Sequence, residues 1–213
     1  MLRGSWGGDK GESMLMNYFS KLKGILFEPK KTLRGLKKEK GISKPFSFFL
    51  ISNIISSLIF STYVIIGSAS IPTIGVPSGF LMGILFVFLM SIRILIIILF
   101  IFTTSGIFHL FIKLFGGNNP YYQTFKAFAY VSVIGIVSSL MPGINLLAPF
   151  LYYPFIIALF IWGLCLLGYS LYQYTGLSTD KLVWVFLISI FLEMIVIVVM
   201  VLLSWFFNPV IVG

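Results

Sequence analysis

The chain has 213 residues, of which 59% are hydrophobic and only 10% are charged, and its mean hydropathy is +1.06. A soluble domain carries about 25% charged residues, and a domain of this size has too small an interior to bury so much apolar surface. The composition therefore excludes a soluble globular domain, a disordered chain and a disulfide scaffold. It predicts a membrane protein with a formal net charge of +9.

The positive charge is concentrated at the N-terminal end of the chain. Residues 1–44 hold eleven of the fifteen basic side chains and four of the six acidic ones, which gives this segment a net charge of +7. We therefore predict three parts: a flexible tail or cloning remnant at 1–13, a basic cytoplasmic segment at 14–45 and a membrane domain at 46–213. No short apolar core precedes a small-residue cleavage site, so the pattern does not predict a secretory signal peptide.

Residues 15–27 have the periodicity of an amphipathic helix. Four apolar residues fall on one face at steps of four, three and four: Leu15, Phe19, Leu22 and Leu26. This pattern predicts a helix that lies in the membrane interface, with its lysines toward the headgroups.

A polybasic run follows Pro29 and ends just before the first long apolar stretch. Such a run gains about 1 kcal/mol per basic residue near an anionic leaflet. We predict an anionic-lipid surface formed by Lys30, Lys31, Arg34, Lys37 and Lys38. The alternative is that these side chains only set the orientation of the protein. The run contains no nucleic-acid recognition motif, so a nucleic-acid partner is not predicted.

Five stretches are long and apolar enough to cross the bilayer, which takes about 20 residues. They are residues 46–66, 80–115, 121–141, 146–172 and 182–207, and the fourth begins after a predicted turn at 142–145. Loops with positive charge, such as the one flanked by Lys113 and Lys126, alternate with uncharged loops. The positive-inside rule then places the N-terminus in the cytoplasm and the C-terminus outside. The predicted fold class is an all-α polytopic membrane protein with five transmembrane helices and an N-terminal cytoplasmic amphipathic helix.

The second stretch is longer than one simple crossing requires. Its 36 residues would extend about 54 Å as a helix. A steep tilt would accommodate this length. We favour a separate re-entrant or interfacial piece at Phe80–Phe88, because Gly83 offers a break and the preceding loop is also apolar.

Few residues within the spans could carry chemistry. The intramembrane polar candidates are Arg93, Glu193, His109 and Asn53. Such groups mark transport pathways in some membrane proteins, and elsewhere they pair or pack within the bundle. The single histidine lacks the neighbours that a metal or catalytic site needs, and no hydrolase, nucleotide-binding or metalloprotease motif is found. The sequence predicts no catalytic residue, no metal and no cofactor.

The segment FIKLFGGNNPYYQTFKAFAYVSV at Phe111–Val133 resembles the Yip1-domain family of multi-span membrane proteins. The shared features are a helix that ends in KLFGG, a short turn, and QTFKAxAY at the start of the next span. Three further segments resemble that family: EPKKTL before the first span, MPGI one span later and GLSTDK before the last span. The resemblance covers about residues 20–205, and the residues of its motif turn are Gly116, Gly117, Thr124, Tyr130 and Pro142.

The resemblance implies five spans and a cytoplasmic N-terminus, and the lack of catalytic motifs predicts a protein without enzymatic activity. Eukaryotic members act in vesicle transport with Rab GTPases, but their aspartate-leucine-tyrosine-glycine-proline motif is absent here. A short basic segment also replaces their long acidic or polar N-terminal domain. The chain is therefore more similar to prokaryotic, archaeal-type members, and the resemblance implies a membrane-organising or partner-scaffolding role. Other membrane proteins or a second copy of the chain are the expected partners.

The competing hypothesis is a small transporter, channel or lipid-translocating protein that uses Glu193 and Arg93. These two side chains would form an ion pair if the second span is tilted. Charge reversal at both positions tests the pair, because a real pair makes the double reversal more stable than either single reversal.

Overall fold

The structure is a computed structural model, and it describes the backbone of residues 14–69 and 79–207. The predicted tail at 1–13, the loop at 70–78 and residues 208–213 lie outside this part of the chain, as do some side chains within the helices. The described residues form nine helices: α1 (Met14–Phe27), α2 (Pro29–Leu36), α3 (Ser43–Ala69), α4 (Gly79–Leu114), α5 (Tyr121–Val131), α6 (Val133–Ser138), α7 (Met141–Leu147), α8 (Pro149–Thr175) and α9 (Thr179–Phe207). The all-α prediction is confirmed for this part of the chain.

Four helical stretches of the described residues are long and apolar enough to cross a membrane. They are Ser43–Tyr63, Phe86–Leu114, Tyr121–Asn145 and Pro149–Thr175. They match the first four predicted spans. The fifth predicted span lies within α9, an apolar helix of 29 residues.

The third span is at the centre of the bundle, because α5 contacts α3, α4 and α8. Phe125, Ala127, Ala129 and Tyr130 of α5 are fully buried. Phe125 stacks on Phe102 of α4, with 4.9 Å between the ring centroids. The small alanine side chains let neighbouring helices approach α5 closely. Helix α9 packs on the outside, against α4 and α8.

Helix α4 is continuous over all 36 residues, from Gly79 to Leu114. The predicted break at Gly83 and the separate piece at Phe80–Phe88 are therefore wrong. A glycine within a helix costs only about 1 kcal/mol relative to alanine. Interrupting the helix in an apolar environment costs more, because it leaves backbone groups without hydrogen-bond partners.

The second half of the central span differs from the uniform helix predicted for 121–141. It is divided into α5 and α6 at Ser132, whose hydroxyl donates to the carbonyl oxygen of Ala129 at 2.7 Å. Such a local side-chain bond competes with regular helical bonding. The predicted turn at 142–145 is also wrong, since α7 occupies Met141–Leu147 with Pro142 in its first turn. Proline is tolerated there because the first backbone N–H groups of a helix have no intrahelical acceptor.

The serines of α3 are part of the packing between helices. Ser52, Ser56, Ser57 and Ser61 are all buried. Ser56 donates to the carbonyl oxygen of Gly135 on α6 at 2.9 Å, and α3 contacts α6 along this side. The row of small residues at four-residue spacing therefore allows a close helix–helix contact.

The outer faces of α4, α8 and α9 expose large apolar side chains. Leu99, Phe100, Phe160, Trp184 and Phe191 each have more than half of their surface exposed. A soluble monomer rarely exposes such a continuous apolar surface. Apolar outer faces of this kind are typical of helices in a lipid bilayer.

The α4–α5 turn depends on two glycines. Gly116 has a φ of +90°, a conformation that other residues rarely adopt. The backbone N–H of Gly117 donates to the carbonyl oxygen of Ile112 at 2.8 Å. A Cβ atom on Gly117 would lie 2.5 Å from Cγ2 and 2.9 Å from the carbonyl oxygen of Ile112. The close packing of this turn therefore excludes a side chain at Gly117.

We expect Gly117→Ala to lower the free energy of unfolding by about 1–3 kcal/mol, because the added methyl group clashes with the backbone of α4. Gly106→Ala is the matched control, since nothing lies within 4 Å of a Cβ atom at that position in α4. Thermal unfolding in a mild detergent measures both variants. Equal midpoints for the two would contradict the tight packing of the turn.

Candidate functional site

The basic segment is packed against the membrane domain through α1 and α2. Helix α1 contacts α6, and α2 contacts α8. Tyr18, Ile25, Leu33 and Leu36 are buried in one apolar cluster with residues of α3, α5, α6 and α8. The buried face of α1 therefore overlaps the predicted stripe only in part, because Leu22 and Leu26 pack against this cluster while Phe19 does not. Phe19 has 54% of its surface exposed, because Tyr18 and Ile25 occupy the contact with the protein.

Lys126 is the central residue of this contact. Its side chain is fully buried, although the sequence indicated a charge at the edge of a loop. Its Nζ donates to the carbonyl oxygens of Leu36 at 3.2 Å and Lys37 at 3.3 Å, and to that of Glu39. An ammonium group has three donors, so these three carbonyls satisfy it completely. The last carbonyls of a helix have no partner within the helix and favour a cation, and Lys126 thus caps α2.

Two aromatic rings lie beside the buried ammonium group. Lys126 Nζ is 5.5 Å from the ring centroid of Tyr122 and 5.4 Å from that of Tyr174. The negative face of an aromatic ring attracts a cation within about 6 Å. These rings offset part of the cost of removing the charge from water.

Glu39 lies just beyond the end of α2, and its carboxylate contacts two further helices, α1 and α5. Oε1 accepts from Lys21 Nζ at 2.7 Å, and Oε2 accepts from the hydroxyl of Tyr130. Lys21 also lies 5.6 Å from the centroid of the Tyr130 ring. We call Lys21, Glu39, Lys126 and Tyr130 the Lys126 cluster. It joins α1 and the end of α2 to α5.

Two tyrosine hydroxyls complete the contact. Tyr174 of α8 donates to the carbonyl oxygen of Leu33 at 3.1 Å. Tyr18 of α1 forms a hydrogen bond with Ser52 of α3 at 3.1 Å. Burial raises the pKa of the Tyr18 hydroxyl, although the bond with Ser52 acts in the opposite direction. Tyr18 is therefore neutral at physiological pH and its polar atom is satisfied.

The five residues predicted to contact anionic lipid are exposed. They are Lys30, Lys31, Arg34, Lys37 and Lys38. Lys31 forms an ion pair with Glu28 at 3.1 Å on the surface, where such a pair contributes at most about 1 kcal/mol. The fixed segment thus presents its cations outward while the Lys126 cluster holds it to the domain.

The structure does not bring the predicted intramembrane polar residues together in the part that it describes. His109 Nδ1 lies 3.1 Å from the hydroxyl of Thr124, between α4 and α5. Asn53 donates to the carbonyl oxygen of Phe49 on its own helix at 2.9 Å. The guanidinium of Arg93 lies 4.5 Å from the centroid of the Phe60 ring. The side chain of Glu193 lies outside the described residues, so its pairing with Arg93 stays a prediction.

The residues of the motif turn have separate structural places. Gly116 and Gly117 form the α4–α5 turn, and Pro142 lies in the first turn of α7. Thr124 is buried and accepts from Asn119 Nδ2 at 3.1 Å. Tyr130 belongs to the Lys126 cluster. Only Gly116, Gly117 and Thr124 therefore lie around the start of α5, the helix that carries Lys126.

Sequence reasoning missed Lys126 and Glu39. Lys126 lies five residues inside an apolar span, where a charged side chain has a high free-energy cost and is usually functional. This position was the signal that the sequence offered for Lys126. Glu39 is one acid among many bases, and no pattern distinguishes it from a surface residue.

A model of the Yip1 domain family matches residues 23–201. The match includes α2 and the Lys126 cluster with the exception of Lys21. No curated protein matches the chain, and no solved structure matches it.

We expect Lys126→Met to lower the free energy of unfolding by about 1–3 kcal/mol, because the carbonyl oxygens of Lys37 and Glu39 lose the donor that Lys126 supplies. It should also expose the junction around residues 37–42 to protease. Lys113→Met is the control, because Lys113 is exposed at the end of α4. Thermal unfolding and limited proteolysis in detergent measure both effects. A stable, protease-resistant Lys126→Met variant would contradict the assigned role.

Proposed function

The chain belongs to the Yip1 domain family, and from this premise we propose that it organises its membrane or scaffolds partner membrane proteins without enzymatic activity. The contact that supports this proposal is the Lys126 cluster, which fixes a basic surface to a bundle of membrane helices. A scaffold needs such a rigid surface at a defined place relative to the bilayer. In this role α1 and α2 present the surface, and the bundle anchors it.

The proposal includes a fifth span and a cytoplasmic N-terminus. Helix α9 is apolar and its 29 residues extend about 44 Å, which exceeds the hydrocarbon thickness. It packs beside α4 and α8, which are themselves candidate spans. With five crossings the positive-inside rule places the +7 segment in the cytoplasm and the C-terminus outside.

The basic surface suits a partner with anionic headgroups. The five exposed cations of α2 and its C-terminal end lie close to the start of the first span, where headgroups are found. Each contributes about 1 kcal/mol of attraction to an anionic leaflet. Because this attraction depends on charge and is not specific for one lipid, it enriches anionic lipid around the protein.

The polar side chains of the described bundle support a scaffold better than a transporter. A transport path needs polar groups that converge near the bilayer midplane. His109 bonds to Thr124, Asn53 bonds to its own helix and Arg93 lies against Phe60. At the centre of the bundle, α5 buries Phe125 and two alanines, and its buried cation, Lys126, is bonded to carbonyl groups at the end of α2.

We expect reconstituted protein to attract phosphatidylserine over phosphatidylcholine. A fluorophore on Cys165, the single cysteine, which is exposed on α8, would transfer energy more efficiently to labelled phosphatidylserine. Replacing Lys30, Lys31, Arg34, Lys37 and Lys38 with glutamine should remove the preference, because the attraction depends on positive charge. An exchange of each lysine for arginine, and of Arg34 for lysine, is the control and should preserve it. No preference in the unaltered protein would contradict the lipid-organising role.

We also expect vesicles that contain the protein to release ions and small solutes no faster than protein-free vesicles. Glu193→Gln should leave this result unchanged, because no transport is proposed. Stopped-flow release of an entrapped dye measures the rate. Flux that requires the protein and falls in Glu193→Gln would favour the transporter instead.

A further inference from the structure

A cavity of about 220 Å³ lies between α1 and the start of α3. Its walls are Asn17, Tyr18 and Lys21 of α1 together with Ser43, Lys44, Ser47, Phe48 and Ile51 of α3. We propose that this cavity binds the phosphate-containing headgroup of one anionic phospholipid. This proposal rests on the proposed function, in which the protein is inserted in a membrane. It adds a site for one lipid per chain to the nonspecific attraction of the basic surface.

The charge of the cavity walls favours an anion. Lys21 and Lys44 line it, and no acidic residue does. Glu39 holds one donor of Lys21 from outside the cavity, and an ammonium group has two further donors. Lys44 is exposed and has no carboxylate within 4 Å among the described residues. Two lysines on neighbouring helices thus flank a space with no competing negative charge.

The start of α3 adds hydrogen-bond donors to the same wall. The first N–H groups of a helix lack intrahelical acceptors, and the helix dipole favours negative charge there. Pro45 has no N–H, and the N–H of Phe46 donates to the carbonyl oxygen of Ile42 at 2.8 Å. The donors left in this turn are the backbone N–H groups of Ser43 and Lys44 and the hydroxyls of Ser43 and Ser47. Hydroxyl, amide and ammonium donors together form the set that phosphate oxygens accept from.

The inner wall of the cavity is apolar, which favours a lipid over a free phosphate ion. Phe48 and Tyr18 are 3% exposed, and their ring centroids are 4.9 Å apart. The hydroxyl of Tyr18 is already bonded to Ser52. The two rings form the base of the cavity, and the half-buried Ile51 offers contact to the glycerol and the first acyl carbons.

The position of the cavity also indicates a membrane lipid. Ser43 is the first residue of the first candidate span, so the lysine side of the cavity lies at the depth of the headgroups. Ile51 lies two turns deeper along α3. The polar wall of the cavity thus lies at the depth of the lipid headgroups, and the apolar wall lies nearer the acyl chains.

Native mass spectrometry of the full chain in an uncharged detergent tests the site. Dioctanoyl phosphatidylglycerol is the probe, and dioctanoyl phosphatidylcholine and inorganic phosphate are the comparisons. We expect one phosphatidylglycerol per chain to bind saturably. Lys44→Gln should weaken binding about fivefold, the effect of one basic side chain near an anionic headgroup. Lys40→Gln is the matched control, because Lys40 is exposed but does not line the cavity.

A second variant tests the cavity without a change of charge. Ser47→Leu fills the space and should abolish saturable binding, while the thermal unfolding midpoint shows that the variant folds. Equal losses in Lys44→Gln and Lys40→Gln would overturn the proposal, because a diffuse surface would explain both. Full competition by inorganic phosphate would overturn the lipid assignment. The preference for phosphatidylserine that energy transfer measures depends on five other basic side chains. Loss of that preference alone would contradict the lipid-organising role, and loss of saturable phosphatidylglycerol binding alone would contradict the cavity site.

Discussion

The buried ammonium group of Lys126 and the carbonyl groups at the end of α2 depend on each other. A charged group removed from water is stable only if it is fully hydrogen-bonded, and the bonds that satisfy Lys126 come from Leu36, Lys37 and Glu39. Helix α2 has eight residues, too few to be stable alone in water. Lys126 therefore holds α2 against the bundle, and the carbonyl groups at the end of α2 offset the free-energy cost of burying the ammonium group.

This contact changes the interpretation of the net charge. The +7 of the N-terminal segment is divided between two functions. Lys21 belongs to the internal Lys126 cluster, whereas Lys30, Lys31, Arg34, Lys37 and Lys38 point outward. Glu39 is essential to this division, because it neutralises Lys21 and accepts from Tyr130. The surface positive charge is thus held at a fixed position on the bundle, which makes both lipid enrichment and a defined lipid site physically reasonable.

The positions of the first four spans could be predicted from sequence because hydropathy over about 20 residues depends on the local sequence alone. The glycine turn at Gly116–Gly117 was predictable for a similar reason, since the need for small residues is local. The buried face of α1 was predictable only in part, since Leu22 and Leu26 of the predicted stripe pack against the buried cluster. Periodicity identifies an apolar stripe but cannot tell whether lipid or protein covers it, and here Tyr18 and Ile25 are buried while Phe19 is exposed.

The contact between Lys126 and Glu39 could not be predicted for a different reason, although a lysine inside an apolar span was itself a signal. Their contact joins residues 87 positions apart in the chain, and neither residue lies in a pattern that indicates the other. The positive-inside rule counts Lys126 as a surface charge, because it considers the distance from a loop and not the packing of the neighbouring helices. The division of the central span at Ser132 likewise depends on a side-chain bond that hydropathy does not register.

Hydrogen–deuterium exchange of the full chain in detergent tests the central claim most directly. The measured quantity is the exchange rate of the backbone amides of α2, compared with those of α5. If the Lys126 cluster fixes α2 to the bundle, the amides of Leu33 and Leu36 exchange as slowly as those of the buried α5 residues. The reason is that the hydrogen bonds of both helices then break only when the whole domain unfolds. Exchange of the α2 amides at the rate of a free peptide would contradict the account.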